Sequence, residues 1–456
     1  MRSLSMCTGT LLLVVLASGC ASVQTGEEWS RLKTNVQERT GYELIWEQSE
    51  REEKVVREEV EKLLANGLTR DEAVRIALLN NRTLQSTLEE IGIAKSDLIQ
   101  AGLFRNPSLS ALFRFPFHGS GTNSEIDAGI SLSDFWQIPF RKKVASAHLE
   151  MVMMKVEQEV LSMMRKAKQA YDSAYYTSLA RKEAQAIFQK FKEISAEIEE
   201  RREFGFLGDL DVYSAQTMEA ESEMALHRVE TDLLQAKAHL DRVLGLGIDQ
   251  TRYKIGDELD ELSDQVPAIP DREKALEHAL AHRLDIQTSL FKIAAADKKL
   301  KMEKAMVLKE VHLGASYEKD TDGDEVFGPG IDIQIPVFHQ NQAQIAKARF
   351  LVRRAGKKLQ ALKGQIREEI ARDLSQIDLH AQRLRLLKER VIPVRQKAME
   401  YSHKWVNAMQ LNRLYLLEAQ KGLLEGKLDS VRERMELNHA ITELEYHLGG
   451  NLPAPH

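Results

Sequence analysis

The amino-acid sequence predicts a mainly helical protein with a small antiparallel β portion, built as two tandem repeats. Proline is scarce, at 10 of 456 residues, while 29% of the residues are charged, a composition typical of long solvated helices. Four short segments alternate apolar and polar residues, which is the signature of strands. The stretch GDLDVYSAQ from Gly208 returns as NRLYLLEAQ from Asn412. Because other features return at matching distances, the chain contains an internal duplication.

The N-terminus predicts export. Arg2 precedes a short apolar run, LLLVVLA, that ends in SGCAS, and this order describes a secretory signal too short to span a bilayer. The cysteine after small residues resembles the bacterial lipoprotein signal, in which residues 1–19 are removed and Cys20 is acylated. Ala17 stands where such signals prefer leucine, so an ordinary secretory signal is the alternative. Cys7 and Cys20 are the only cysteines, which leaves the mature chain no disulfide framework or thiolate site.

Residues 20–67 form an N-terminal segment whose charged stretch, WEQSEREEKVVREEVEKLLANG, predicts a surface helix. Repeat 1 follows at 68–246 and opens with a helix that Thr69 caps, with Glu72 as its reciprocal partner. A linker at 247–270 holds glycine and proline. Repeat 2 spans 271–450, opens with a helix capped by Asp271, and leaves residues 451–456 as a C-terminal tail.

Each repeat next predicts a β-hairpin, at 107–135 and at 309–338. In the first hairpin, apolar residues alternate from Leu109 to Phe117 and from Ile126 to Leu132. In the second, they alternate from Val311 to Tyr317 and from Ile331 to Ile335. We expect strands of about 9–11 residues, the length that crosses an outer membrane as a tilted strand.

After each hairpin the apolar period changes to steps of three and four, which predicts a long helix of the coiled-coil type. The first such helix runs from about Gln137 to Glu203, roughly 100 Å at 1.5 Å per residue. The second begins near Gln340, and Pro393 should kink it. A returning helix follows each one, so each repeat has a helical hairpin, with its tip near 204–211 or near 407–415.

Four strands with an apolar face have open edges, and open edges cannot exist in hydrocarbon. Several copies must therefore close one barrel. Two copies would give eight strands, a barrel largely filled by side chains, whereas three would give twelve strands and an aqueous pore. The sequence thus favours a homotrimer. The alternative is a small soluble sheet beside a helical bundle.

The order of these elements resembles the TolC-like outer membrane efflux channels from Leu68 to Gly449. The matching stretches are LTRDEAVRIALLNN, AGLFRNPSLS, FGFLGDLDVYSAQ, LLEAQKGLLEGK and HAITELEYHLGG. The resemblance implies a trimeric twelve-stranded barrel continued by a periplasmic α-barrel. It implies a passive duct without enzymatic activity, which takes substrates from an inner-membrane pump through a periplasmic adaptor. The wording WVNAMQLNRLYLLEAQ resembles the branch that exports heavy-metal cations.

The resemblance also assigns roles at the hairpin tips. The adaptor contact falls on Gly205 and Gly208 in the first tip, and on Met409 and Asn412 in the second, where methionine replaces the family's glycine. The acidic positions that narrow the tunnel mouth hold the residues Asp211, Tyr415 and Glu418. An acidic ring at a narrow mouth favours cations. The alternative for both acids is a solvated first helical turn, where acids suit the helix dipole.

Other functions find little support in the sequence. His278 and His282 have a spacing that can bind metal, but no third ligand is near, so an ordinary surface pair is favoured. No catalytic motif or cofactor fingerprint is present, and we expect neither enzymatic activity nor a cofactor or metal. No basic patch indicates nucleic acid. The competing hypothesis is a lipid-anchored periplasmic coiled-coil scaffold or adaptor without a pore.

Overall fold

The computed structural model describes residues 23–65, 67–115, 117, 121–247, 253–255, 267–407 and 413–450. These residues are mainly helical and include one antiparallel sheet, as the sequence predicts. The helices are α1 (Gly26–Thr40), α2 (Glu50–Ala65), α3 (Arg70–Asn80), α4 (Arg82–Gly102), α5 (Asp134–Glu203), α6 (Asp209–Leu244), α7 (Arg272–His282), α8 (Leu284–Ala305), α9 (Gln342–Leu386), α10 (Ile392–Asn407) and α11 (Arg413–Leu448). The strands are β1 (Ser108–Arg114), β2 (Asn123–Ser131), β3 (Val311–Lys319) and β4 (Glu325–Ile333).

The chain divides into two compact units. Unit 1 holds the sheet and comprises the described residues within the ranges 1–32, 88–156 and 285–362. Unit 2 comprises the described residues within 33–87, 157–284 and 363–456 and contains the hairpin ends of the helices. In the described ranges, no helix combines the length and the apolar character that a bilayer crossing requires.

Both predicted helix caps at the starts of the repeats are confirmed. At α3, the Thr69 hydroxyl accepts the Glu72 N–H at 3.2 Å, and the Glu72 carboxylate accepts the Thr69 N–H at 2.8 Å. At α7, the Asp271 carboxylate accepts the Glu273 N–H at 2.9 Å. Each cap satisfies N–H groups that have no partner inside the helix.

The sequence does not predict the break after α3. Asn81 is extended, and its side-chain oxygen accepts the N–H groups of Thr83 and Leu84 at 2.9 and 3.1 Å, which starts α4 at once. Its amide donates to the Val243 carbonyl at 2.8 Å. Arg283 makes the equivalent break between α7 and α8. A residue with an extended backbone therefore ends the first helix of each pair, and at Asn81 the side chain replaces helical hydrogen bonds.

The sheet has the order β1–β2–β3–β4, and every pairing is antiparallel. The two hairpins join through β2 and β3, where Ile126 faces Tyr317. The predicted strand length is wrong for β1, which has seven residues and ends at Arg114, before Phe115 and Phe117. The other strands have nine residues each, so Ile335 lies beyond the end of β4.

Pro329 occupies the middle of β4, opposite Ala315. The Asp320 N–H donates to the Asp324 carbonyl at one end of this strand pair, so the even-numbered residues of β3 form the hydrogen-bonded pairs. Pro329 therefore lies in a pair whose backbone groups point away from β3. An N–H group at this position would face the outer edge of the sheet. Proline, which has no N–H, is tolerated there.

The disturbance predicted at Pro393 takes the form of a π-helical turn at Leu387–Val391. The Ile392 N–H donates to the Leu387 carbonyl, five residues back. Pro393 has no N–H and cannot donate the next backbone hydrogen bond of the helix. The wider π-helical turn accommodates this missing bond, and α10 begins directly after the turn.

Candidate functional site

The candidate site is the end of the helices in unit 2 where α5 turns into α6. Gly205 has φ +74°, and its N–H donates to the Arg202 carbonyl at 2.8 Å. The Phe206 N–H donates to the Arg201 carbonyl at 3.0 Å. This pattern ends α5 with a left-handed residue, which glycine adopts without steric cost. A Cβ at Gly205 would meet nothing within 4 Å, so backbone conformation alone explains the glycine.

Asp211 lies in the first turn of α6. Its carboxylate accepts the Gly208 N–H at 3.2 Å, and Gly208 is the residue that caps the helix. A carboxylate here is stabilised by the unpaired N–H groups and by the helix dipole. The structure thus supplies a local role for Asp211, which is compatible with a role at a tunnel mouth.

Large apolar side chains around this turn are exposed to solvent. Phe206 is 76% exposed and Leu210 is 80% exposed, and Phe204 and Tyr213 are also exposed. Sequence analysis did not assign these residues to the site. Large apolar residues among the glycines and aspartates of a predicted turn are a signal that could have identified them. An exposed apolar group of this size is characteristic of an interaction surface.

The second tip is described only in part. Met409 and Asn412 lie outside the described residues, as does Cys20. Tyr415 and Glu418 lie in the first turns of α11, and both are exposed.

A buried cluster brings the two tips together. Leu417 of α11 packs among Val212 and Ala215 of α6 and Phe191 and Ile198 of α5. The first turns of α6 and α11 are therefore level with each other. Asp211 and Glu418 stand on helices that meet at this end.

Lys421 forms a hydrogen bond between two helices that sequence analysis did not predict. Its Nζ donates to the Glu221 carboxylate at 2.7 Å and so links α11 to α6. This hydrogen bond raises the pKa of Lys421, and the charges of Glu425 and Glu418 add to the effect. The two partners are 200 residues apart, and no sequence pattern pairs them.

In unit 1, the sheet has two different faces. Leu109, Ala128, Ile126, Tyr317 and Phe327 belong to an apolar face, of which Leu109 and Phe327 are strongly exposed. The opposite face is polar and includes the pairs Ser108–Gly129 and Ser110–Asp127.

An ion pair and a hydrogen bond to a carboxylate link neighbouring strands on the polar face. Arg114 donates to Glu125 at 2.7 Å, and Asn123 donates to Glu318 at 2.8 Å. The outer edges of β1 and β4 have no strand beside them in the described residues.

The two histidines with metal-compatible spacing lie against each other in α7. The rings of His278 and His282 stack with centroids 4.1 Å apart, and the His282 Nδ1 is 3.0 Å from the His278 carbonyl. Burial and the neighbouring His282 lower the pKa of His278. Among the described residues no group of three or more His, Cys, Asp or Glu side chains could hold a metal ion.

No protein-family model matches the chain, and no curated protein matches it in sequence. Solved structures do match. The outer-membrane channel OprN superposes with a TM-score of 0.70 at 18% identity, covering 86% of this chain and 92% of OprN. CusC, solved in a study of folding and transmembrane channel formation, gives 0.67 at 16% identity, covering 84% and 92%. The CmeC outer membrane channel of Campylobacter jejuni gives 0.69 at 14% identity, covering 85% and 87%. The chain therefore has the fold of these outer-membrane channels.

Proposed function

We propose that the chain is one of three copies of a TolC-like exit duct in the bacterial outer membrane. The observation that carries the proposal is a sheet with one exposed apolar face and two open edges, in a chain with the fold of outer-membrane channels. Such a sheet needs lipid for its apolar face and further strands for its edges. Three copies supply twelve strands, enough for an aqueous lumen lined by the polar face.

The proposed arrangement assigns each part of the chain a place. Residues 68–246 and 271–450 are the two repeats, each giving one hairpin to a barrel and one helical hairpin to a periplasmic tunnel. Cys20 carries the lipid. The exposed tip around Gly205 meets a periplasmic adaptor, and an inner-membrane pump drives the substrate. Heavy-metal cations or small toxic molecules are the proposed substrates.

Liposome swelling tests the duct. Vesicles that contain the purified protein should swell in an isotonic solution of L-arabinose, whereas protein-free vesicles should not. Protein that is folded by circular dichroism, inserted in the vesicles and impermeable to arabinose would instead support the scaffold hypothesis.

The Glu418→Ala variant tests the tunnel mouth. Glu418 is exposed beside the level ends of α6 and α11, so removing three carboxylates from a narrow ring should weaken the preference for cations. The measurement is the reversal potential of purified channels in a KCl gradient, which should move toward zero.

Glu200→Ala is the matched control, since Glu200 is an exposed acid on α5 with no assigned role at the mouth. An equal shift in both variants would remove Glu418 from the gate and leave the duct in place.

The Cys20→Ala variant tests the anchor. Acylation of Cys20 would add the mass of the lipid to the mature chain and hold it on the membrane. The variant should lose that mass and keep its signal peptide, whereas Cys7→Ala should change neither. Intact-protein mass spectrometry decides the point, and a wild-type chain of unmodified mass would show that the cysteine is incidental.

A further inference from the structure

One end of the sheet joins all four strands to helices of unit 1. Ser131 at the end of β2 faces His312, and His312 faces Asp332 near the end of β4. The Gln137 side chain of α5 donates to the Lys309 carbonyl at 2.7 Å, which links the start of α5 to the segment before β3. The segments that connect strands and helices therefore lie together at this end, here called the helix end of the sheet.

Large apolar side chains are exposed at the helix end. The rings of Phe104 and Phe135 meet edge to face, with centroids 5.2 Å apart, and both residues are more than half exposed. Ile335, Val337 and Phe338 are exposed in the segment after β4, where Ile335 and Val337 continue the alternation of the apolar face. Aromatic rings in such a position suit the boundary between hydrocarbon and lipid headgroups.

Exposed cations follow these apolar residues. They lie within about 14 Å of the helix ends that meet the sheet, at 1.5 Å per residue, or in the segment before β3. Among the described residues none of them has an ion pair. This set, here called the basic belt, comprises Lys142 and Lys143 of α5, Lys304 of α8, Lys309, and Lys347 and Arg349 of α9.

The acids of the same region already have partners. The connecting stretches 132–141, 303–310 and 334–341 contain three acids, and each accepts a hydrogen bond from a side chain of the chain itself. The pairs are Asp134 with Arg105 and Arg141, Glu303 with Asn341, and Glu310 with Gln334. No acid of these stretches is therefore left to neutralise the basic belt.

The loop end of the sheet, where β3 turns into β4, is acidic in contrast. Its exposed side chains include Asp320, Asp322 and Asp324, and Lys319 is paired with Glu325 at 2.8 Å. The attraction for anions therefore belongs to the helix end and not to the sheet as a whole.

We infer that the basic belt binds the phosphate groups of anionic phospholipids in the leaflet on the helix side of the membrane. The inference rests on the proposed function, in which the apolar face of the sheet lies in hydrocarbon. With that face in lipid, the exposed rings lie at the boundary, and the long side chains of the belt reach the headgroup layer.

The pairing of rings and cations favours a lipid surface over a soluble anion, because a soluble anion would leave the rings in water. Each Lys or Arg near an anionic membrane surface strengthens binding by about fivefold. The belt therefore selects anionic over neutral phospholipid.

Tryptophan quenching by lipids with brominated acyl chains tests the belt. Trp136 follows Phe135 at the helix end and reports on the lipid there. Full-length protein in phosphatidylcholine vesicles should be quenched more by brominated phosphatidylglycerol than by the same fraction of brominated phosphatidylcholine. The excess should disappear in Trp136→Phe, which keeps the other three of the four tryptophans.

The variant with both Lys142→Gln and Lys143→Gln removes two cations of the belt. Lys143 is seven residues from Trp136, so both lie on one side of α5. The excess quenching by phosphatidylglycerol should fall toward zero, while quenching by brominated phosphatidylcholine should not change. A second pair, Lys304→Gln with Lys309→Gln, should act in the same direction and keeps the test decisive if the first variant fails to insert.

The matched control combines Lys397→Gln with Lys404→Gln. These lysines are exposed on α10 in unit 2, so the same change of charge is made away from the sheet. The control should keep the full preference for phosphatidylglycerol.

The outcomes separate the lipid site from the proposed function. Equal quenching of the wild type by the two lipids would overturn the lipid site and leave the duct in place, with the belt then available to a soluble anionic partner. Inserted belt variants that keep the preference, or a control that loses it, would also overturn the site. Folded, vesicle-bound protein whose Trp136 is quenched by neither lipid would overturn both, because the sheet would then lie outside the bilayer.

Discussion

The Asp172→Ala variant is expected to lose about 3–5 kcal/mol of unfolding free energy, because it removes the buried carboxylate that pairs with the largely buried guanidinium of Arg70. Asp172 is fully buried, and its two carboxylate oxygens accept from Arg70 at 2.9 and 2.8 Å. Arg70 also donates to the Thr442 hydroxyl at 2.7 Å. Three helices of unit 2 therefore meet at one guanidinium. Burial alone would lower the pKa of Arg70, but the Asp172 carboxylate outweighs it and raises that pKa.

Chemical denaturation of the detergent-solubilised protein measures this loss. Asp297→Ala is the matched control, since Asp297 and Lys301 form an exposed pair at 2.8 Å on one helix. A pair of this kind contributes about 0–1 kcal/mol. Equal losses in the two variants would show that the buried pair does not organise unit 2.

The Gly205→Val variant is expected to abolish export while the channel remains intact. At φ +74° a β-branched residue is strained by about 1–3 kcal/mol, so the turn between α5 and α6 should change its conformation. The exposed Phe206 and Leu210 would move with it, and the proposed adaptor contact would be lost. Burial elsewhere is unaffected because a side chain at Gly205 meets nothing within 4 Å.

Growth of the native host measures export. Cells with Gly205→Val should be as sensitive to heavy-metal cations and to small toxic molecules, the proposed substrates, as cells that lack the gene. Gly364→Val is the control, because Gly364 lies in α9 with open space around it and without a positive φ. It should behave as wild type. A Gly205→Val strain with full resistance would remove this turn from the adaptor contact.

The helices, the strands and their duplication could be predicted from sequence because each depends on local patterns. The Thr69–Glu72 cap is a motif of four residues, and strand alternation needs only neighbours. The break at Asn81 was not predicted, because the Asn81 amide donates a hydrogen bond to the carbonyl of Val243, which lies far along the chain. The length of β1 was overestimated, because alternation continues to Phe117 after the backbone pairing stops at Arg114.

The candidate site is predicted less completely than the fold. The family resemblance, and no pattern of their own, points to Gly205 and Asp211, and the structure gives each a local role, in a left-handed turn and in a helix cap. The hydrogen bond between Lys421 and Glu221 depends on how two helices that are far apart in sequence pack side by side. No single segment of the sequence contains that information. In α6 only the structure separates the covered residues Val212 and Ala215 from the exposed residues Leu210 and Tyr213.

Single-channel recording of the purified protein in a planar bilayer tests the central claim most directly. The account predicts stable, cation-preferring conductance from particles with the mass of three chains. Folded trimers that insert into the bilayer and carry no current would contradict it, and the sheet would then belong to a scaffold without a pore.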